Sequence, residues 1–248
     1  MKDLIENTIN RVITENQPRC QTTYRVPLLG YAQADDPPFQ QLKTAVGPGH
    51  LLPNDLLPEA ATVLAFFLPF TRQLVENNRE HPYVARSWAL AYIETNALIS
   101  LCCKEITAAL AGHGVKAAWQ QPTHNFDPVQ LCSRWSHKHV AYICGLGEFG
   151  LHQMLITAYG CAGRFGSLVI GLPLSPSPRQ AVQRCLFYRQ GKCLACVKKC
   201  PSGALTPEGL DKQKCYGYLL EVDSFYSDLG LCDACGKCAA CGPCAVID

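Results

Sequence analysis

Apolar residues recur along the chain at two different spacings, and the alternation of these spacings predicts a mixture of helices and strands. Residues 3–15 carry apolar side chains three and four positions apart, which is typical of an amphipathic helix. Residues 61–70 form an apolar, partly β-branched run bounded by turn-forming residues, which predicts a buried strand. The longest helical pattern covers residues 83–111 and ends at Gly112 and Gly114.

The rest of the first 171 residues predicts shorter elements. Residues 27–58 are rich in Pro and Gly, which indicates loops around one short helix at 39–46. We expect a further helix at 133–144 and strands at 115–119, 154–157 and 167–171. Three prolines within residues 172–178 can continue neither type of element, so the domain boundary is placed there. The prediction is an α+β chain with domains 1–175 and 176–248.

Composition and charge narrow the class of protein. The chain has 248 residues, 48% of them apolar, and a net charge of +2, so it can bury a core but has no excess of cations for neutralising many phosphates. No apolar run approaches the ~20 residues of a membrane helix. The charged start, Met1–Glu6, predicts no secretory signal peptide. We therefore expect a cytoplasmic protein that binds neither membrane nor nucleic acid.

Cysteine usage carries the strongest chemical signal. Ten of the sixteen cysteines lie between Cys185 and Cys244, and one group reads Cys193-x-x-Cys196-x-x-x-Cys200-Pro201. That run is most of a bacterial ferredoxin motif, whose thiolates hold iron–sulfur clusters. Two [4Fe–4S] clusters need eight thiolates; zinc is the alternative, and disulfides are disfavoured in so long a chain. Many free thiols indicate a reducing cytoplasm, and oxygen-labile clusters indicate an anaerobe.

The charges are distributed unevenly around the cysteine run. Between Glu148 and Glu208 there is no acidic residue but there are seven cations. Two interpretations remain open: a solvated basic face, or a functional one that favours reduced clusters and binds an acidic electron donor.

A glycine-rich segment matches a nucleotide-binding pattern only superficially. Gly145, Gly147 and Gly150 spell G-x-G-x-x-G, but the preceding segment is predicted as a helix rather than a strand. The acid-free stretch also removes the carboxylate that would hold a ribose. We expect these glycines to form a tight turn or to let the backbone approach a flat or anionic ligand.

Several motifs in order resemble the epoxyqueuosine reductase and reductive dehalogenase superfamily. They are residues 139–150, 154–157, Tyr159-Gly160 and 172–174, followed by Cys193–Pro201 with residues 202–205, and then Leu210-Asp211-x-x-x-Cys215. The resemblance covers roughly residues 55–248. It implies a nitroreductase-like α/β domain that binds a corrinoid, with a flavin as the alternative, followed by a ferredoxin-like domain with two [4Fe–4S] clusters.

The resemblance also implies cluster ligands. In the family the first ferredoxin module has a cysteine where this chain has Gln190, and Cys185 is the candidate substitute. The two clusters exchange a ligand, as in two-cluster ferredoxins. One cluster is assigned Cys185, Cys193, Cys196 and Cys244, and the other Cys200, Cys215, Cys235 and Cys238. Cys232 and Cys241 are left over, and either can displace a neighbour in these sets.

Catalytic residues are less well defined. The family's proposed acid corresponds to a position near Leu131 and Cys132, where Asp127 is the nearest carboxylate. Candidates for catalytic groups near the cofactor are Glu148, His152 and Tyr159, and the candidate cofactor contacts are Gly145, Gly147, Gly150 and Arg164. Cys161 and the remaining upstream cysteines are expected to be structural.

Two functions follow. The first is an iron–sulfur oxidoreductase that passes electrons from a low-potential donor protein through two clusters to a corrinoid-type site, where a small molecule is reduced. The second is a non-catalytic electron carrier for a partner metalloenzyme.

Overall fold

The computed structural model of the chain describes residues 1–179 and 182–248. The helices are α1 (Lys2–Asn16), α2 (Pro38–Ala45), α3 (Pro53–Leu56), α4 (Arg72–Glu80), α5 (Arg86–Ala111), α6 (His137–Ile143), α7 (Leu186–Gln190), α8 (Ala195–Lys198), α9 (Lys212–Phe225) and α10 (Lys237–Ala240). The strands are β1 (Leu28–Gln33), β2 (Thr62–Pro69), β3 (Ala117–Trp119), β4 (Phe126–Asp127), β5 (Cys132–Ser133), β6 (Gly147–Phe149), β7 (Leu155–Thr157), β8 (Gly163–Ile170), β9 (Leu205–Thr206) and β10 (Gly209–Leu210).

A four-stranded antiparallel sheet in the order β1-β2-β8-β3 forms the centre of the molecule. Side chains alternate along a strand, so successive residues of β2 face opposite sides of the sheet. Val63, Ala65 and Phe67 pack toward α2 and α6, while Leu64 and Phe66 pack toward α1 and α5. Every residue of β2 is buried, because helices cover both faces of this central strand.

The cysteine-rich segment is tied to this core by backbone hydrogen bonds. The amide groups of Cys161 and Ala162, just before β8, donate to the carbonyls of Cys244 and Ala245 at 2.9 and 3.0 Å. Asn78 of α4 donates through Nδ2 to the Cys235 carbonyl at 3.0 Å. The end of the chain therefore lies against the start of β8 and against α4, and residues of both parts line the first cavity described below.

Most long elements agree with the sequence-based predictions, and the differences have physical causes. The predicted strand at 167–171 begins earlier, at Gly163, and the predicted helix at 133–144 begins only at His137, because residues 132–133 pair as β5. β1 lies in the segment predicted as loops, and its pairing with β2 outweighs its local composition. The strongly polar α4 was not predicted either. Within the described residues, no helix combines the length and apolarity that crossing a bilayer demands.

Candidate functional site

Five cysteines line one cavity between the sheet domain and the cysteine-rich segment. The cysteine chamber, as we name this cavity of about 270 Å³, is lined by Cys161, just before β8, and by four cysteines of the cysteine-rich segment, Cys200, Cys215, Cys235 and Cys238. These four come from the turn after α8, from α9, from the loop before α10 and from α10 itself. Burial, and then the neighbouring thiols, raise the pKa of Cys238 well above its usual value. Such a packed set of thiols favours a bound metal centre, which stabilises the thiolate forms.

A second group of cysteines surrounds a narrower cavity. Cys185, Cys193, Cys196 and Cys244 line it, together with His152. Cys185 precedes α7, Cys196 lies on α8, and Cys193 has a positive φ of 77° in the loop between these helices. Burial, helped by the nearby Cys244 and Cys185 thiols, raises the pKa of Cys196 to about 11.

Cys161 joins this second group, and the sequence did not indicate it. The sulfur atoms of Cys161 and Cys244 each lie 3.5 Å from His152 Nε2. The three potential ligand atoms are within 4.8 Å of one another. The expectation that Cys161 is structural stays a prediction: its buried thiol packs in an apolar cluster with Leu151 and Ile156 and also lies beside Cys244 and His152. A hydrogen bond from Cys161 lowers the pKa of Cys244, and His152 adds to the effect.

The two left-over cysteines differ in their surroundings. Cys232 is fully buried in an apolar cluster with Phe70 and Val84, and its amide donates to Asp223 at 2.6 Å. Cys241 lies near Cys196 and Cys244. Burial raises the pKa of Cys241, and the charges of these two neighbours raise it further. All sixteen cysteines are in the described residues, and none of them forms a disulfide.

Charged and aromatic side chains form the other walls of the cysteine chamber. Arg164 at the start of β8 stacks over the ring of Tyr92, with 4.4 Å between its Cζ and the ring centroid. The Tyr92 hydroxyl donates to the buried Asp233 carboxylate and lies 2.9 Å from Thr123 Oγ1. Burial raises the pKa of Tyr92 to about 12, although the Arg164 charge opposes this rise. The chamber thus contains a hydrogen-bonded phenol next to a guanidinium.

Lys138 of α6 extends toward the same chamber. Its Nζ donates to the carbonyl of Gln153 at 2.9 Å. Burial and the charge of Lys212 lower the pKa of Lys138 to about 8, while the thiolates of Cys238 and Cys215 oppose the shift. A cation here favours negative charge on the neighbouring cysteine group.

The glycine-rich segment lies elsewhere. Gly145 follows α6 with a φ of 80°, and a Cβ at Gly147 would come within 2.3 Å of the Ile156 carbonyl oxygen across the β6–β7 hairpin. A Cβ at Gly150 would lie 2.8 Å from Ile156. None of these glycines lines the cysteine chamber. A helix precedes the motif and a hairpin follows it, as expected if it is not a nucleotide-binding turn.

The other candidate residues from the sequence lie at different places in the structure. His152 lines both cysteine cavities, and Arg164 lines the chamber. Glu148 lies on β6, where burial raises its pKa, and Tyr159 stacks against Arg25 away from the chamber. Asp127 is exposed, and its carboxylate accepts the amide hydrogens of Val129 and Gln130. Tyr92, Lys138 and Asp233 were missed; only Asp233, the one carboxylate inside the last cysteine run, carried a signal in the sequence.

The proteins that this chain resembles in sequence and in fold are reductases. No protein-family model matches the chain. Its sequence is 28% identical over 171 residues to the epoxyqueuosine reductase of Salmonella typhimurium, covering 67% of this chain and 41% of that protein. The chain therefore spans about two-fifths of the length of this curated relative.

Solved structures agree on the fold. Epoxyqueuosine reductase from Bacillus subtilis superposes with a TM-score of 0.59 at 18% identity, over 97% of this chain and 66% of that one. A catabolic reductive dehalogenase, NpRdhA, gives a TM-score of 0.61 at 15% identity, over 89% of this chain and 30% of that one. The predicted resemblance to the epoxyqueuosine reductase and reductive dehalogenase superfamily is confirmed.

Proposed function

We propose that the protein is an iron–sulfur oxidoreductase in which a nitroreductase-like domain, residues 1–175, receives electrons from a ferredoxin-like domain, residues 176–248. The observation that carries this proposal is the convergence of Cys200, Cys215, Cys235 and Cys238 on a chamber that the sheet domain closes with Tyr92 and other polar residues. Sulfur ligands in such numbers match [4Fe–4S] clusters, which transfer single electrons at low potential when bound.

The donor set fits two clusters. Cys200, Cys215, Cys235 and Cys238 would hold one, and the other would be held by four of the thiols around His152, for which we retain Cys185, Cys193, Cys196 and Cys244. Cys161 and Cys241 lie close enough to compete for a place in the second set. Cys232 does not, because it packs into the apolar cluster.

Residues of the sheet domain would prepare the chamber for a reductive reaction. Arg164 and Lys138 supply positive charge, which favours the reduced, more negative state of a neighbouring centre. Tyr92 holds a proton on its hydroxyl, oriented by Asp233 and Thr123, at the chamber wall. The apolar side chains Phe70, Trp88 and Leu205 limit the access of water.

A corrinoid does not fit the cavities as these residues form them. Pockets for drug-sized ligands measure about 300–1,000 Å³, and a corrinoid is larger than such ligands. The cysteine chamber has a volume of about 270 Å³, part of which a cluster would occupy. A second cavity, which shares Lys138 and Arg164 with the chamber, has a volume of about 220 Å³. The same limit applies to a flavin nucleotide. We therefore assign no step to either group.

A surface rich in cations supports an acidic electron donor as partner. Arg189, Lys192, Lys198 and Lys199 are exposed beside the second group of cysteines. None of these four cations forms an ion pair in the part of the chain that the structure describes. This surface would also serve the alternative function, a carrier that accepts electrons here and delivers them to another metalloenzyme.

The deciding experiment is metal analysis of anaerobically purified protein before and after incubation with cobalamin. We expect about eight iron atoms and as many sulfides per chain, four per cluster, and no tightly retained cobalt. Stoichiometric zinc in place of iron would contradict the proposal. Tight cobalt retention would show that the chamber opens to admit a corrinoid.

A further inference from the structure

A second cavity adjoins the cysteine chamber and shares a wall with it. This side cavity, of about 220 Å³, is lined on the shared wall by Lys138, Met154, Gly163 and Arg164. Its other walls come from β8, from α6 and its preceding turn, and from residues 122–126. A molecule bound in the side cavity would therefore be separated from the chamber by little more than the Lys138 and Arg164 side chains.

The charged residues that line the side cavity are all positive. Two cations line it, and no Asp or Glu is among its lining residues. Hydrogen-bonding groups of Thr123, Asn125 and Ser133 add to the polar lining. Asp233, which is outside the lining, accepts a hydrogen bond from Tyr92, lies 3.7 Å from His124 Nε2 and interacts electrostatically with Arg164. A negatively charged ligand would meet attraction here without a competing carboxylate in the lining.

Arg164 is the residue that calls for a ligand. Its Nε is buried without a hydrogen-bond partner, and the guanidinium forms no ion pair among the described residues. Its one close contact of note is the face of Tyr92. A buried guanidinium N–H group without an acceptor is costly, whereas a carboxylate can satisfy two N–H groups of one arginine at once.

The apolar residues of the lining indicate the shape of the uncharged part of a ligand. Phe126, Trp135 and Phe165 also line the side cavity. Flat aromatic walls suit a planar molecule, and the volume is below that of pockets for drug-sized ligands.

We infer that the side cavity is a binding site for a small planar carboxylate, which Arg164 holds by its guanidinium with Lys138 as a second cation. A small planar carboxylate would then be the substrate class of the proposed reductase. This step rests on the proposed function, because it requires a cluster in the cysteine chamber. Binding itself depends on residues of the sheet domain alone.

The test is titration calorimetry on the anaerobic, cluster-loaded protein. The probes are benzoate, its neutral isostere benzamide, and acetate as a smaller carboxylate. We expect benzoate to bind at least ten times more tightly than benzamide. Arg164→Gln should weaken benzoate binding at least tenfold, and Arg164→Lys should be intermediate because it keeps the charge but loses the planar fork. Arg134→Gln, an exposed arginine nearby that does not line the side cavity, is the matched control and should leave binding unchanged.

Two outcomes would overturn the inference. If neither benzoate nor acetate binds to protein that carries about eight irons, the site is not a carboxylate site, although the proposed function stands. If wild-type protein binds no carboxylate but Arg164→Gln shifts the midpoint potential of a cluster, Arg164 is a charge partner of that cluster. Missing iron with intact benzoate binding would instead contradict the proposed function. Iron content and circular dichroism of each variant establish that it is folded.

Discussion

Gly236 lies directly against the indole of Trp88, and a Cβ at this glycine would be 2.2 Å from the ring atoms. The backbone of Gly236 also has a φ of 67°, which other L-residues adopt at a cost. Gly236 separates Cys235 from the helix that carries Cys238. The contact between Gly236 and Trp88 therefore helps to position Cys235 and Cys238 in the chamber.

Gly236→Ala should consequently damage the chamber. The added methyl group must displace Trp88 or the backbone at residue 236, and overpacking of this kind costs about 1–3 kcal/mol of unfolding free energy. We expect a lower melting temperature and loss of up to half of the bound iron, measured by thermal unfolding and metal analysis under anaerobic conditions.

The matched control is Gly217→Ala. Gly217 lies within α9, and no atom is within 4 Å of a Cβ placed there. Alanine in a helix interior is favoured over glycine by about 0.5–1 kcal/mol, so this variant should be as stable as the wild type or more so. Equal iron loss in both variants would show that Gly236 has no special role.

The assignment of cluster ligands predicts different results for two cysteines that are close in sequence. Cys238→Ala should lose about half of the iron, because Cys238 lines the chamber and is assigned as a ligand of one of the two clusters. Cys232→Ala should keep all of it and lose only packing, since Cys232 lies in the apolar cluster. Iron content and the electron paramagnetic resonance of the reduced protein measure both. Loss of a cluster only in the Cys232 variant would reverse the assignment.

The sequence predicted the long elements of the fold because their hydrophobic periodicity is locally complete. The pattern over 83–111 matches α5 to within a few residues at its start, and the apolar run at 61–70 contains β2. β1 escaped prediction because its strand character comes from pairing with β2 rather than from its own residues. The predicted strand at 154–157 is β7, but its partner β6 was not predicted, because β6 begins within the glycine-rich segment and its strand character comes from pairing with β7.

The spacing of the cysteines along the sequence indicated part of the candidate site. The two sets of cysteines that the family resemblance implied each line one cavity, and their assignment as cluster ligands stays a prediction. Tyr92 and Lys138 could not be found in this way, because they come from helices far apart in sequence and only the tertiary fold brings them to one wall. Cys161 escaped for the same reason: its partner Cys244 is at the other end of the cysteine-rich segment.

Lys138 should influence the potential of the chamber cluster. Its ammonium group interacts with Cys215 and Cys238, so Lys138→Gln removes a charge that stabilises the reduced state. We expect the midpoint potential of one cluster to become more negative by tens of millivolts, where about 59 mV corresponds to a tenfold change for one electron. Lys104→Gln, on the exposed side of α5, is the control and should shift neither potential. A positive shift would argue against the electrostatic role.

The basic surface predicts salt-dependent reduction by an acidic donor protein. Lys192→Glu combined with Lys198→Glu should slow reduction by an acidic ferredoxin about tenfold at low ionic strength, and weaken the dependence on salt. Reduction by the methyl viologen radical, which needs no docking surface, should change much less. Lys43→Glu combined with Lys104→Glu changes the net charge equally at exposed positions outside the cysteine-rich segment. If both pairs slow the reaction alike, net charge rather than a docking surface controls the rate.

His137 should make the protein less stable in acid. Its Nδ1 lies 2.7 Å from Ser167 Oγ and its Nε2 3.1 Å from the Gln121 carbonyl oxygen, while Trp135 Nε1 donates to Ser167 Oγ at 2.9 Å. The Ser167 hydroxyl can then donate only to a neutral imidazole. Burial lowers the pKa of His137 from 6.5 to about 4, and the Arg164 charge adds to the shift.

The sign of the effect follows from proton binding. Between pH 6.5 and about 4 the unfolded chain holds a proton on this histidine and the folded chain does not, so stability falls as the pH falls through this range. The loss from pH 7 to pH 5 should be roughly 2 kcal/mol. In His137→Gln this part of the pH dependence should vanish, whereas replacing the exposed His113 by Gln should leave it intact. Urea unfolding of all three proteins at both pH values measures the difference, and an unchanged slope in His137→Gln would mean that the histidine is already charged in the folded protein.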